Sequence, residues 1–118
     1  MVEIKSCREV GGRGVFTQRS YQAGEVVLQL TGPIVDQPTR ESIELSPNQH
    51  IIDPVGSYIN HSFTPTTRVN SCLQAVVALA DLSLGSHVTF NYNENETQMA
   101  CPFMAEGKAV VGKSPKAT

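Results

Sequence analysis

The chain predicts a mostly β fold, compact and non-trivial in topology. Three observations carry this: short strand-like apolar runs, Gly, Pro or Asn turn signals between them, and no window of 12 or more residues with a sustained helical stripe. At 118 residues, 40% hydrophobic and 17% charged, the chain fits one domain with one modest core.

The elements follow in order. Val2 and Ile4 alternate with Glu3 and Lys5, as in a half-buried strand. Gly11-Gly12-Arg13-Gly14 turns before Val15-Phe16 resumes the apolar pattern. Ala23-Gly24 leads into Val26, Val27, Leu28 and Leu30, a β-branched run closed by Gly32-Pro33. Ile34-Val35, Ile43-Glu44-Leu45 and His50-Ile51-Ile52-Asp53 are short strands, broken by Pro38, Pro47 and Pro54. Thr66 to Ser71 and Gln74 to Ala80 pair as a hairpin. Val76 to Leu84 also has helix propensity, but its length and the turns around it favour a strand. Leu84-Gly85-Ser86 then turns into a last strand, Val88-Thr89-Phe90-Asn91-Tyr92. Residues 1–112 read as the domain and 113–118 as a flexible tail.

Composition excludes several classes. A net charge of -2 argues against direct nucleic-acid binding, which needs a basic surface. No apolar run approaches the roughly 18 residues of a membrane span. The start of the chain has no signal-peptide pattern, so a cytoplasmic protein is expected. Cys7, Cys72 and Cys101 are an odd number with no close pair, which predicts no disulfide framework. With His50, His61 and His87 they show no zinc-ligand spacing, so no metal site is expected. Residues 41–107 hold seven acidic groups and only Arg68 as a base. That stretch reads as a solvated acidic surface or as a face that attracts a basic peptide.

Three motifs could carry chemistry. Gly12-Arg13-Gly14 lets backbone approach a ligand closely, although such pairs are often plain turns. Asn60-His61-Ser62 interrupts an apolar stretch before Pro65; it is a capped turn or a polar site. Adjacent His61 and Ser62 point apart on a strand, which disfavours a nucleophilic triad. Tyr92, at the end of the last strand, is an edge-of-core phenol or a site residue.

Taken together, their order and spacing resemble the SET-domain family, protein-lysine methyltransferases that use S-adenosylmethionine. The residues that carry the resemblance are Gly12-Arg13-Gly14-Val15-Phe16, Gly24-Glu25-Val26-Val27, Tyr58-Ile59-Asn60-His61-Ser62-x-x-Pro65 and Val88-Thr89-Phe90-Asn91-Tyr92. The chain looks like a minimal, bacterial or viral type of SET domain. The resemblance implies a β-clip fold: several small curved sheets with a knot-like crossing near the C-terminus. It implies cofactor binding by Gly12, Arg13, Gly14, Tyr58, Asn60 and His61, with Tyr92 as catalytic residue. Cys101-Pro102-Phe103 would fold over the cofactor, with Phe103 against the adenine. The substrate implied is a basic, lysine-containing protein or peptide of the histone kind, and no metal takes part. A homodimer is an open assembly for so small a domain.

The chain departs from the family pattern at five positions. The family usually has Cys at Phe63, Asn at Thr66, Glu at His87, Asp at Asn91 and, in many members, a channel Tyr at Leu30. A zinc-binding Cys cluster common after the Phe-containing segment is missing from Met104-Ala105-Glu106-Gly107. Two other readings stay open: a SET-like binding module without catalysis, and an unrelated small β protein in which the motifs are turns.

Overall fold

The computed structural model describes residues 1–7, 12–96, 103–105 and 107–110, with 103–105 and 109 described through their backbone alone. Cys101, Pro102 and the 113–118 tail lie outside the described residues.

The strands are β1 (Val2–Cys7), β2 (Gly12–Thr17), β3 (Val26–Gln29), β4 (Ile34–Val35), β5 (Ile43–Ser46), β6 (Gln49–Ile51), β7 (Asn60–His61), β8 (Thr67–Asn70), β9 (Ala75–Ala78), β10 (His87–Phe90), β11 (Phe103–Ala105) and β12 (Lys108–Val110). A 3-10 turn spans Gly56–Tyr58, and a single helical turn, α1, spans Tyr92–Asn95. They form four small sheets, ordered β1-β2-β10-β7, β3-β9-β8, β4-β6-β5 and β11-β12. This is the mostly β architecture that the strand pattern predicts, with the several small sheets that the family resemblance implies.

Apolar alternation sets the registers. Ile4 pairs with Val15 on β1–β2, and Val15 with Val88 on β2–β10. Val15, Val88, Leu30, Ile51, Ile59 and Val76 are fully or almost fully buried, and together they centre one core beneath the sheets. The predicted hairpin forms between β8 and β9, with Thr67 opposite Ala78 and Asn70 opposite Ala75. All four residues of β9 are buried, so neither face is polar. That absence of alternation is why the segment also reads as helical by propensity alone.

One glycine is dictated by its surroundings. Gly32 has φ 144°, and a Cβ there would lie 2.1 Å from the Ile52 carbonyl oxygen. Two segments of backbone approach closely at this point, and Ile52 N–H bonds the Pro33 carbonyl at 2.9 Å.

The last predicted strand is corrected at its end. β10 stops at Phe90, and Tyr92 opens α1 instead of extending the strand. Asn91 is the cause: its side chain caps the helix, accepting the Asn93 N–H at 2.9 Å. Leu30, at the position of the family's channel Tyr, is fully buried in the core.

Candidate active site

β7 is the short strand that assembles the site. It pairs in parallel with β10, Asn60 opposite Thr89 and His61 opposite Phe90, and Ser62 N–H extends the ladder to the Phe90 carbonyl at 3.1 Å. On the other side of β10 lies β2, which carries Gly12, Arg13 and Gly14. Residues far apart in sequence thus meet along one sheet.

Asp53 delivers the Asn60 segment. Its buried carboxylate accepts backbone N–H groups from Thr31 at 2.8 Å, Val55 at 2.7 Å and Gly56 at 2.6 Å. These charge-assisted bonds fix the 3-10 turn that ends in Tyr58. The Tyr58 ring is 39% exposed, and the Arg13 guanidinium lies 6.0 Å from its centroid.

Asn60 joins the two strands through its side chain. Its Nδ2 donates to the Arg13 carbonyl at 3.1 Å and lies 3.1 Å from His87 Nε2. The His87 ring stacks on Phe16 at 4.7 Å. These groups fill the space beside Gly14: a Cβ there would lie 2.8 Å from Asn60 Nδ2 and 2.9 Å from His87 Nε2. Gly14 therefore permits close approach of the protein's own side chains. Gly12 differs, because nothing lies within 4 Å of a Cβ placed there. The open backbone at Gly12, the half-exposed Asn60 and His61 and the exposed Tyr58 ring are a donor and stacking set that suits a nucleoside-bearing cofactor.

Tyr92 is held from three directions. Its backbone N–H donates to His61 Nδ1 at 3.0 Å, which puts the ring proton of a neutral His61 on Nε2. Its hydroxyl donates to the Ile59 carbonyl. Its ring meets His61 at 5.2 Å and Phe90 at 4.9 Å, and His61 in turn meets Phe63 edge-on at 4.3 Å. Burial pushes the Tyr92 phenol well above the usual tyrosine range, and the Glu96 carboxylate pushes it further. The hydroxyl stays protonated at any ordinary pH.

Phe103 opens β11, opposite Val110, and the Lys108 ammonium of the same hairpin sits 5.1 Å over the Phe63 ring. The β11–β12 hairpin therefore reaches the His61–Phe63 corner. Sequence reasoning missed the Ile59 carbonyl, Asp53 and the cap at Asn91. Only Asn91 carried a local signal, as a helix-capping residue type before Tyr92. Thr66, where the family has Asn, ties β8 to β10: its hydroxyl donates to the His87 carbonyl at 2.8 Å and accepts Thr89 N–H at 3.0 Å.

The acidic stretch needs a correction. Of its seven carboxylates, Glu44, Asp53 and Glu96 are buried, at 5%, 2% and 6% exposure. Glu41, Asp81 and Glu94 are exposed, and Glu106 lies outside the described residues. A run of charge in sequence is thus not one charged face. No helix among the described residues is long and apolar enough to cross a membrane.

A family model, the SET domain, matches residues 12–93. No curated protein matches the chain by sequence. Among solved structures, it is similar to a Plasmodium falciparum chain described as a "putative histone methyltransferase". The identity is 16% and the TM-score 0.59, over 80% of this chain and 99% of that one.

Proposed function

The chain belongs to the SET-domain family, and from that premise we propose that it is an S-adenosylmethionine-dependent methyltransferase acting on the ε-amine of protein lysine. The observation that carries the proposal is the meeting of Gly12-Arg13, Tyr58, Asn60-His61 and Tyr92 around β7, with the Tyr92 hydroxyl fixed on the Ile59 carbonyl.

The cofactor supplies an electrophilic methyl group on a sulfonium. Gly12, Arg13, Asn60 and His61 would hold it, largely through backbone groups, with Tyr58 and Phe103 as stacking surfaces. The protein's task is to present a neutral lysine amine in line with that methyl. A free lysine has a pKa near 10.4, so neutrality at pH 7 costs about 4.6 kcal/mol. An apolar surround of Phe90, Ile59 and the Tyr92 ring lowers that cost by disfavouring the ammonium.

Tyr92 does the orienting. Its proton is engaged by Ile59, so its remaining lone pairs face outward as acceptors. An amine N–H donated to that oxygen directs the nitrogen lone pair away from the phenol. Alignment of this kind is an orientation effect, one of the largest available to a methyl transfer. The substrate we infer is a basic, lysine-containing segment of a protein.

Calorimetric titration with S-adenosylhomocysteine, followed by radiolabelled methyl transfer to a lysine-rich protein mixture, tests the reading. The expected result is saturable binding with labelled lysine in the product. Binding without labelling would favour the non-catalytic module; no binding would remove the reading altogether.

A further inference from the structure

We propose that Glu44, His50 and Glu96 form a buried binding site for one divalent transition-metal cation, of the zinc or manganese class. The three side chains come from β5, β6 and the end of α1, and each brings a ligand atom to within 4.8 Å of the other two. His50 is 2% exposed, and its Nδ1 is buried with no hydrogen-bond partner. A buried polar atom left in that state calls for an ion or a water.

The surrounding bonds prepare these atoms as ligands. His50 Nε2 lies 3.0 Å from the Pro47 carbonyl, and donating its proton there leaves the lone pair on Nδ1. A backbone carbonyl on the second ring nitrogen is the usual arrangement behind a metal-bound histidine. Glu96 Oε2 is fixed by the Glu44 N–H at 2.9 Å and by Asn95 Nδ2 at 2.7 Å, so Oε1 remains for a cation. The same Asn95 amide also holds the Glu44 carbonyl at 3.2 Å. Cross-strand pairing sets Glu44 directly opposite His50.

The donor set selects the metal. One imidazole and two carboxylates suit zinc or manganese; magnesium and calcium prefer oxygen alone. Tetrahedral ligands about 2.1 Å from zinc stand about 3.4 Å apart, so the site closes with small side-chain rotations. The spacing rule applied to the sequence cannot see this trio, because positions 44, 50 and 96 meet only through the fold. A cation here would pin α1, which starts at Tyr92, to the β5–β6 pair.

The test uses the full chain stripped with EDTA. Zinc at a hundredfold excess over its dissociation constant should raise the melting temperature by about 10 °C, with magnesium giving no comparable rise. Thiols also bind zinc, so manganese locates the site. Titrated into isotope-labelled wild type, manganese should broaden the amide resonances of Glu44, His50 and Glu96 first. Glu96→Gln keeps an acceptor for the Glu44 N–H and should lower manganese affinity at least tenfold. The proposal is overturned if wild type melts at the same temperature with and without zinc. It is equally overturned if broadening centres elsewhere, or if Glu96→Gln binds as tightly as wild type.

Discussion

Replacing Tyr92 with Phe removes one hydroxyl and almost no volume, yet it acts on two quantities at once. The hydroxyl is the donor to the Ile59 carbonyl, and Ile59 is buried. Leaving that carbonyl without this donor costs about 1–3 kcal/mol of stability. The melting temperature should therefore fall by roughly 4–12 °C. A domain of ordinary stability, about 5–15 kcal/mol, still keeps at least 95% or so of its molecules folded at 25 °C after that loss. Unfolding can thus lower the rate by only a few per cent. If the phenol oxygen also orients the amine, methyl transfer at saturating cofactor should fall about 10- to 1000-fold, equivalent to roughly 1.4–4 kcal/mol. S-adenosylhomocysteine affinity should hold within about twofold, because the Tyr92 hydroxyl is not among the proposed cofactor contacts. The assay is single-turnover methyl transfer at 25 °C, run beside thermal melts of the same preparations. A variant that loses melting temperature but methylates within twofold of wild type would refute the catalytic role and leave the phenol a core residue.

Four further outcomes follow from the same geometry. Gly14→Ala places a Cβ against Asn60 Nδ2 and His87 Nε2, and should cost about 1 kcal/mol through the Asn60–Arg13 bond, measured by urea denaturation. Gly12→Ala meets no atom within 4 Å, so it should leave stability unchanged and weaken S-adenosylhomocysteine in calorimetry; full affinity would move the cofactor off Gly12. Asp53→Asn gives up a charged acceptor for three backbone N–H groups and should cost roughly 2–4 kcal/mol by denaturant titration, and a loss under about 1 kcal/mol would deny Asp53 its anchoring role. At high pH, the raised pKa of Tyr92 means that the native state keeps a proton which the unfolded chain loses above its ordinary value of 10.0. Stability should therefore fall as pH rises past 10, and Tyr92→Phe should flatten that fall in pH-dependent melts.

Most of the fold was legible because its signals are local. Alternation at Val2 and Ile4, turn glycines and the proline breaks place most of β1 to β10 within a residue or two, but β2 begins three residues early, at the Gly12-Arg13-Gly14 that read as a turn, and β7 carried no strand signal of its own. The end of β10 was legible only as far as Phe90, since hydrophobic pattern runs through Phe90-Asn91-Tyr92 and capping by Asn91 decides against it. β9 gave an ambiguous signal for a physical reason: a strand buried on both faces has no period to read. Sheet partnership was legible for the β8–β9 hairpin, whose strands are neighbours in sequence, and not for β7 with β10, whose parallel pairing depends on which distant segments share the core.

The sequence singled out residues but not the connections among them, and the proposed roles rest on those connections. Gly14 stood out as a glycine beside a ligand, yet what approaches it is Asn60 and His87. His61 stood out as a cofactor residue, yet its Nδ1 holds the Tyr92 backbone and its ring packs on the phenol. On the proposed function, binding and catalysis would be coupled through one imidazole: a cofactor seated on the β7 backbone would rest on the same two residues that set the position of Tyr92. The acidic stretch divides in the same way. The Asp53 carboxylate holds the turn that presents Tyr58, and the Glu96 carboxylate accepts the Glu44 backbone N–H and ties β5 to the end of α1, so these two acidic side chains fix backbone and not a charged surface. On the proposed function, recognition of a basic substrate would then draw on the few exposed carboxylates and the apolar surround of Tyr92, which favours the lysine itself over long-range attraction to a charged segment.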